Sequence, residues 1–210
     1  MLTLRRPAVS MIRNFLERCQ TAAYTYAEVG ATSRTAPPAY VVDHNRVQLG
    51  QGAETFAAAC EALREWKMFR IGWIELVPEG VPLETGRCVA VLVRRFGLWS
   101  LNPCRIVYVV DECGPVRRFG FAYGTLPGHV ERGEERFTIE WNQADDSVWY
   151  DIYAFSRPEH PLARLGRFYV RRLQRRFARD SLAALAAAVR RRSRRDEVGP
   201  AGLEPATNRL

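Results

Sequence analysis

"GFAYGTLPGHVERGEERF", residues 120–137, decides the fold, because it reads either as a catalytic loop or as two strands joined by a tight turn. Leu126-Pro127-Gly128-His129 has type II turn chemistry: proline supplies the fixed φ of the second position and glycine the positive φ of the third. Gly133 offers a second permissive point before the next strand. Upstream, Gly120, Ala122 and Gly124 share one strand face, leaving room for a helix or ligand to approach closely, while Phe119, Phe121 and Tyr123 take the other. Downstream, Phe137, Ile139 and Trp141 alternate with Arg136, Thr138 and Glu140, so one face is buried and one is wet. The stretch is predicted to be a hairpin.

Strand-like segments extend outward from it at 70–77, 87–95, 104–111, 116–125, 134–142 and 147–156. Their separators, "PEGVPLETG", "GLWSLNP", "ECGP", "LPGHVERG" and "NQADD", carry turn residues, which is the pattern of an antiparallel meander. "CVAVLV" and "RIVYVV" are apolar on both faces and belong at covered, central positions. A strand, "YVVDHNRVQL" (40–49), and an alanine-rich helix, "GAETFAAACEALREWKM" (52–68), precede the meander. Before these, Val9, Ile12, Phe15, Leu16 and Cys19 mark an amphipathic helix within 8–22. Gly30 and Pro37-Pro38 make 24–40 an extended, wrapping arm.

The last periodic element runs over 161–195, with an apolar stripe at Leu162, Leu165, Tyr169, Leu173, Phe177, Leu182, Leu185 and Val189. His160 falls at its start. Periodicity ends at Asp196, and 196–210 is expected to be a disordered tail. The chain thus divides into an N-terminal helix and arm (1–39), a main domain (40–195) and the tail. The expected class is α+β: a curved antiparallel sheet of about seven strands wrapped on a long C-terminal helix, with an extra N-terminal helix and arm. This helix-grip arrangement buries the helix stripe and one sheet face together.

The 210 residues suit one such domain, and no apolar run approaches the roughly 18–20 residues of a membrane span. Ser10, Arg13 and Asn14 interrupt the N-terminal apolar residues, so a secretory h-region is a poor reading and a cytoplasmic location is expected. The five cysteines show no CxxC pair and read as core thiols, with no metal site and no cofactor expected. The net charge of +8 is localised: Pro161 to Arg195 holds twelve arginines against Asp180, so this segment carries +11 and the rest −3. Thirty of the 31 basic residues are arginine, a bias that weakens any inference from arginine count to phosphate contact. No specific nucleic-acid motif is present, and the basic helix reads as a solvated face or as a peripheral contact with an anionic surface.

The residues "YAEVGATS", "LNPCRIVYVVDE", "RFGFAYGTLPGHVERGEERF", "YDIYAFSRPEHPLARL" and "LQRRFARDSLAAL" resemble, in order, the DUF1990 family, also called UPF0548, placed in the START and Bet v 1-like (SRPBCC) helix-grip superfamily. The likeness runs from about Tyr24 to Ala188. It implies the fold and no established activity. The superfamily implies a hydrophobic cavity between sheet and long helix that holds lipids, hormones or polyketide-like molecules, with a minority of members acting as cyclases or hydratases.

Three functional readings follow. In a small-molecule binding protein, Arg105 and Tyr108, set in a strand of Ile and Val, with Tyr123 and Tyr150 from neighbouring segments, orient a hydrophobic or amphipathic ligand. A buried Arg105 requires a partner, for which Glu75, Asp111 and Glu112 are candidates. Trp66, Trp73, Trp99, Trp141 and Trp149 are either pocket lining or plain core. This reading expects a cavity of at least about 300 Å³ beside the last helix. In a cyclase- or hydratase-type enzyme, His129 with Glu134 or Glu135 supplies general acid/base chemistry. A metal held by these residues and His44 needs distant segments to converge and is not expected. In an interaction protein, the arginine-rich helix meets an acidic surface.

Overall fold

The computed structural model describes residues 2–158 and 167–197. Strand β1 (Leu2–Thr3) is followed by α1 (Val9–Cys19), the arm, β2 (Val41–Gln51) and α2 (Gly52–Arg64). The meander follows as β3 (Ile74–Val77), β4 (Cys88–Arg95), β5 (Leu98–Glu112), β6 (Val116–Thr125), β7 (Glu131–Asn142) and β8 (Ser147–Pro158), and α3 (Arg167–Glu197) closes the described chain. Seven strands line up as β2-β8-β7-β6-β5-β4-β3, each pair antiparallel, and β1 adds to β5. The chain lays down one edge with β2, crosses the curved sheet through α2, and restarts at the opposite edge with β3. Six consecutive strands then return until β8 meets β2.

Strand alternation divides the core in two. On the inner face, α2 and α3 cover Val89, Val91, Ile106, Phe121, Phe137, Ile139 and Ile152, with Phe56, Leu63, Leu185 and Val189 as the helices' contribution. On the outer face, Ile12, Leu16 and Cys19 of α1 pack on Cys88, Ala90, Leu92, Leu101 and Leu126. Each large apolar side chain so buried contributes roughly 1.5–3 kcal/mol. The helix-grip arrangement is therefore present, with a long helix on one sheet face and the N-terminal helix on the other. Cys19, Cys60, Cys88 and Cys104 are buried thiols, and Cys113 is exposed.

The expected hairpin is present. Gly128 has φ +98° and the His129 amide donates to the Leu126 carbonyl at 3.1 Å, closing the turn between β6 and β7. Several boundaries differ from expectation: β7 begins at Glu131, three residues early, and α3 runs through Glu197, past the expected start of the tail at Asp196. "GLWSLNP" is mostly strand: the chain turns at Phe96-Gly97, where φ is +50° and +75°, as a two-residue hairpin with right-twisted strands requires. The segment 70–77 is strand only over Ile74–Val77, because a short 3₁₀ turn at Lys67–Phe69 extends the crossing between the sheet edges. Leu162, Leu165, His160 and the tail from residue 198 lie outside the described residues.

Gly120 shows how tightly β6 and β7 lie together, since a Cβ there would sit 2.2 Å from the Phe137 carbonyl oxygen. Backbone cannot swing away as a side-chain tip does. Gly120→Ala is expected to lower stability by about 1–3 kcal/mol in denaturant titration. Gly114→Ala, where the nearest atom is 4.0 Å away, is the control and should be near neutral. Equal midpoints for the two variants would show that the sheet opens without cost.

Candidate functional site

Period-2 alternation sends the glutamates of β7 to opposite faces, and their roles separate accordingly. Glu134 points outward to the arm. Its carboxylate accepts from Tyr26 Oη at 2.6 Å, Gly30 N at 2.7 Å, Thr32 N at 2.9 Å and the Thr32 hydroxyl. The cross-strand partner of Glu134 is Gly124, and a Cβ at Gly124 would lie 2.1 Å from Tyr26 Oη. The missing side chain thus admits a tyrosine of the arm. Arg136 extends the network by donating to the Thr32 carbonyl at 2.9 Å and to Asp151 at 3.4 Å, while His44 Nε2 meets Asp151 at 2.5 Å.

Two residues expected to contact ligand belong to this outer face. Tyr108 Oη lies 2.7 Å from Thr32 Oγ1. Arg105 donates to the Gln20 carbonyl at 2.7 Å, at the C-terminus of α1, and lies 4.3 Å from the centre of the Tyr24 ring. A cation at a helix C-terminus meets orphan carbonyls and the negative end of the dipole. Of the carboxylates considered as Arg105 partners, Glu75 pairs with Arg6 and Glu112 with Arg118. Tyr150 is fully buried against Ser181 of α3, with the hydroxyls 3.2 Å apart.

On the inner face a partly open cavity of about 230 Å³ lies between the sheet and α3. It is smaller than the roughly 300 Å³ expected. Phe69, Trp73, Ile152, Leu173 and Phe177 form much of its wall. Of the five tryptophans, Trp73 alone lines it; the indole N–H groups of Trp66, Trp141 and Trp149 bond Val81, Asp146 and Ser147. Its polar lining includes Tyr123, His129, Glu131 and Glu135, from β6, β7 and the turn between them, and Asp43, Asn102, Ser156 and Gln174 from other elements. Tyr123 Oη donates to Glu135 Oε2 at 2.8 Å.

Burial sets the ionisation of this group. It pushes the Glu135 carboxyl up to about 7, against the opposing effect of the Tyr123 hydrogen bond. It pushes Glu131 up to about 7 as well, outweighing the help of Ser156 and Arg171. Burial also lowers His129 to about 4, so the ring is neutral at physiological pH. His129 Nδ1 lies 2.9 Å from both the backbone N–H and the backbone carbonyl oxygen of Glu131, so the ring is held by the Glu131 main chain in either tautomer. His129 is therefore tied to Glu131 backbone and makes no hydrogen bond to Glu134 or Glu135 among the described residues.

Glu131 was not among the sequence candidates, although the signal was available: 131, 133, 135 and 137 share one face, and Phe137 is core. Another cavity residue, Asp43, holds Arg171 of α3 in a two-point pair at 2.5 and 2.7 Å. Further along α3, Arg176 and Arg179 meet Asp180, and Arg192 lies 3.7 Å from Glu65. Much of the basic helix is thereby engaged within the chain. Arg172, Arg190, Arg191 and Arg194 are exposed. No helix among the described residues is long and apolar enough to cross a membrane.

The family model described as "Domain of unknown function (DUF1990)" matches residues 25–184. A UPF0548 protein of Dictyostelium discoideum is 34% identical over 208 residues, covering 90% of this chain and 96% of its own. One from Deinococcus radiodurans is 39% identical over 192 residues, covering 85% and 94%. Among solved structures, human STARD10 aligns with a TM-score of 0.47 at 12% identity, covering 92% of this chain and 84% of that one. Ara h 8.0201 aligns with a TM-score of 0.44 at 16% identity, covering 71% and 97%.

Glu134→Gln replaces a four-donor acceptor with a group that brings donors of its own, and should cost about 2–3 kcal/mol in chemical denaturation. A loss no larger than that of an exposed Glu→Gln control would show that the arm does not depend on this carboxylate. Glu135 acts in the opposite sense. Its carboxyl titrates near 7 folded and near 4.5 in its ordinary state, so the native state holds the proton more tightly. The stability it confers is complete below about pH 4.5 and is lost as the pH rises to about 7. Glu131 acts in the same direction, whereas the lowered value of His129 adds stability as the pH rises from about 4 to 6.5. Glu135→Gln should therefore raise stability at pH 8 by on the order of 2 kcal/mol and leave it little changed at pH 4.5. An equal gain at both pH values in thermal melts would exclude titration as the cause.

Proposed function

This chain belongs to the DUF1990 family, and we propose that it is a small-molecule binding protein whose ligand occupies the cavity between the inner sheet face and α3. The observation that carries this reading is the cavity itself: an unfilled volume of about 230 Å³ inside an otherwise closely packed core, with apolar walls and a few convergent polar side chains. Its volume lies below the roughly 300–1,000 Å³ usual for drug-sized ligands, so the occupant is small. Apolar burial supplies most of the affinity, and Tyr123, His129, Glu131 and Glu135 orient the molecule. Arg105, Tyr108 and Tyr150 act at one remove, by fixing α1, the arm and α3 to the sheet.

One observation favours a second reading, proton transfer within the cavity. The Glu135 carboxyl, raised to about 7 and bonded to the Tyr123 hydroxyl, exchanges a proton at neutral pH as a general acid or base must. Conversion of a bound ligand would then be lost in Glu135→Gln while its binding survived.

Native mass spectrometry of the protein, before and after denaturation, tests the binding reading. A stoichiometric small molecule should accompany the folded protein and leave on unfolding. Ala178→Phe, which fills the cavity from α3, should abolish its retention with little loss of fold. Retention of the same molecule by Ala178→Phe would place the ligand elsewhere and overturn the assignment.

A further inference from the structure

Glu131 is the cavity residue whose bonding is incomplete. It is only 8% exposed, and its Oε1 is buried and accepts no hydrogen bond among the described residues. Its other oxygen receives a long bond from Gln174 Nε2, at 3.3 Å. Glu135, by contrast, already accepts from Tyr123. The two carboxyls are four residues apart on one strand face, or about 13 Å along β7, so Tyr123 does not serve both.

The charge around Glu131 is as incomplete as its hydrogen bonding. The groups facing it from neighbouring elements are Asp43 on β2, Ser156 on β8, His129 in the turn, and Arg171, Gln174 and Arg175 on α3. Arg171 is held by Asp43 in the two-point pair, His129 is neutral, and Arg175 is exposed. An apolar cavity therefore contains a carboxyl whose Oε1 lacks a donor among the described residues and that has no neighbouring cation of its own. Such a group is costly to bury unless something in the site completes it.

We infer that the cavity's ligand is an organic ammonium ion, a primary or secondary amine on a small apolar body, whose N–H bonds Glu131 Oε1. This rests on the cavity reading and narrows its ligand class. A neutral alcohol supplies the missing donor alone; an ammonium supplies donor and charge together. The apolar body lies against Trp73, Ile152 and Phe177, and the ammonium displaces the proton that burial keeps on Glu131.

The test uses 3-phenylpropylamine, 3-phenylpropan-1-ol and 3-phenylpropanoate, which share one skeleton and differ in charge. By calorimetry at pH 7 the amine should bind at least about tenfold more tightly than the alcohol, and the carboxylate more weakly than either. Amine binding should release protons, read as a dependence of the heat on the buffer's ionisation enthalpy; the alcohol should release none. Glu131→Gln should reduce the amine's advantage to near unity while retaining alcohol binding and without lowering the thermal midpoint. If the alcohol matches the amine, or the amine's advantage survives Glu131→Gln, the ammonium inference is overturned and the cavity reading stands. If none of the three binds, both fall.

Discussion

The carboxylate of Glu134 is the contact on which the arrangement of this molecule depends. Four donors from three residues of the arm, Tyr26, Gly30 and Thr32, converge on it, and it is buried. Charge-assisted hydrogen bonds of this kind are about twice as strong as neutral ones. They compensate the desolvation that would otherwise make a buried carboxylate unfavourable. The arm contains glycine and a proline pair and has no regular ladder of its own. Its order is imposed from outside, by an acid on β7 and by the vacancy that Gly124 leaves on β6.

Closing the outer face in this way leaves function to the inner one. Because side chains alternate along β7, the residue next to the structural acid is a cavity acid, and the strand that anchors the arm also delivers Glu131 and Glu135 beneath α3. The two environments treat the same side chain oppositely. Outside, four donors satisfy the carboxylate oxygens; inside, burial favours the neutral form of Glu131 and Glu135. Incompletely satisfied buried acids lower stability near neutral pH, and native proteins retain such departures from ideal packing chiefly where a ligand completes them.

The long helix illustrates why net charge is a weak guide. Its arginines account for the basicity of the whole chain, yet Arg171, Arg176, Arg179 and Arg192 are drawn into contacts with Asp43, Asp180 and Glu65. Of these, the Arg171–Asp43 pair has a positional role, tying α3 to the edge strand β2 beside the cavity. A basic stripe that looks available in one dimension is partly an internal fastening in three.

The element order, the turn at Pro127-Gly128, the alternation along β7 and the basic last helix were all determined by the sequence by itself, because each depends on local chemistry: turn propensity, period 2 or period 3.6. Strand alternation was also enough to separate Glu134 from Glu135 and to point to Glu131, had it been carried six residues upstream from Phe137. Only the tertiary structure decided what met those faces. Arg105 and Tyr108 looked like ligand contacts because a polar residue among Ile and Val demands a partner, and the partners proved to be the end of α1 and Thr32, more than seventy residues away. The cavity, too, was beyond the sequence, since its volume is what remains after side chains from distant strands and α3 have packed. A sequence specifies which groups require satisfaction; long-range packing determines which of them receive it and which, like Glu131 Oε1, are left without a partner among the described residues.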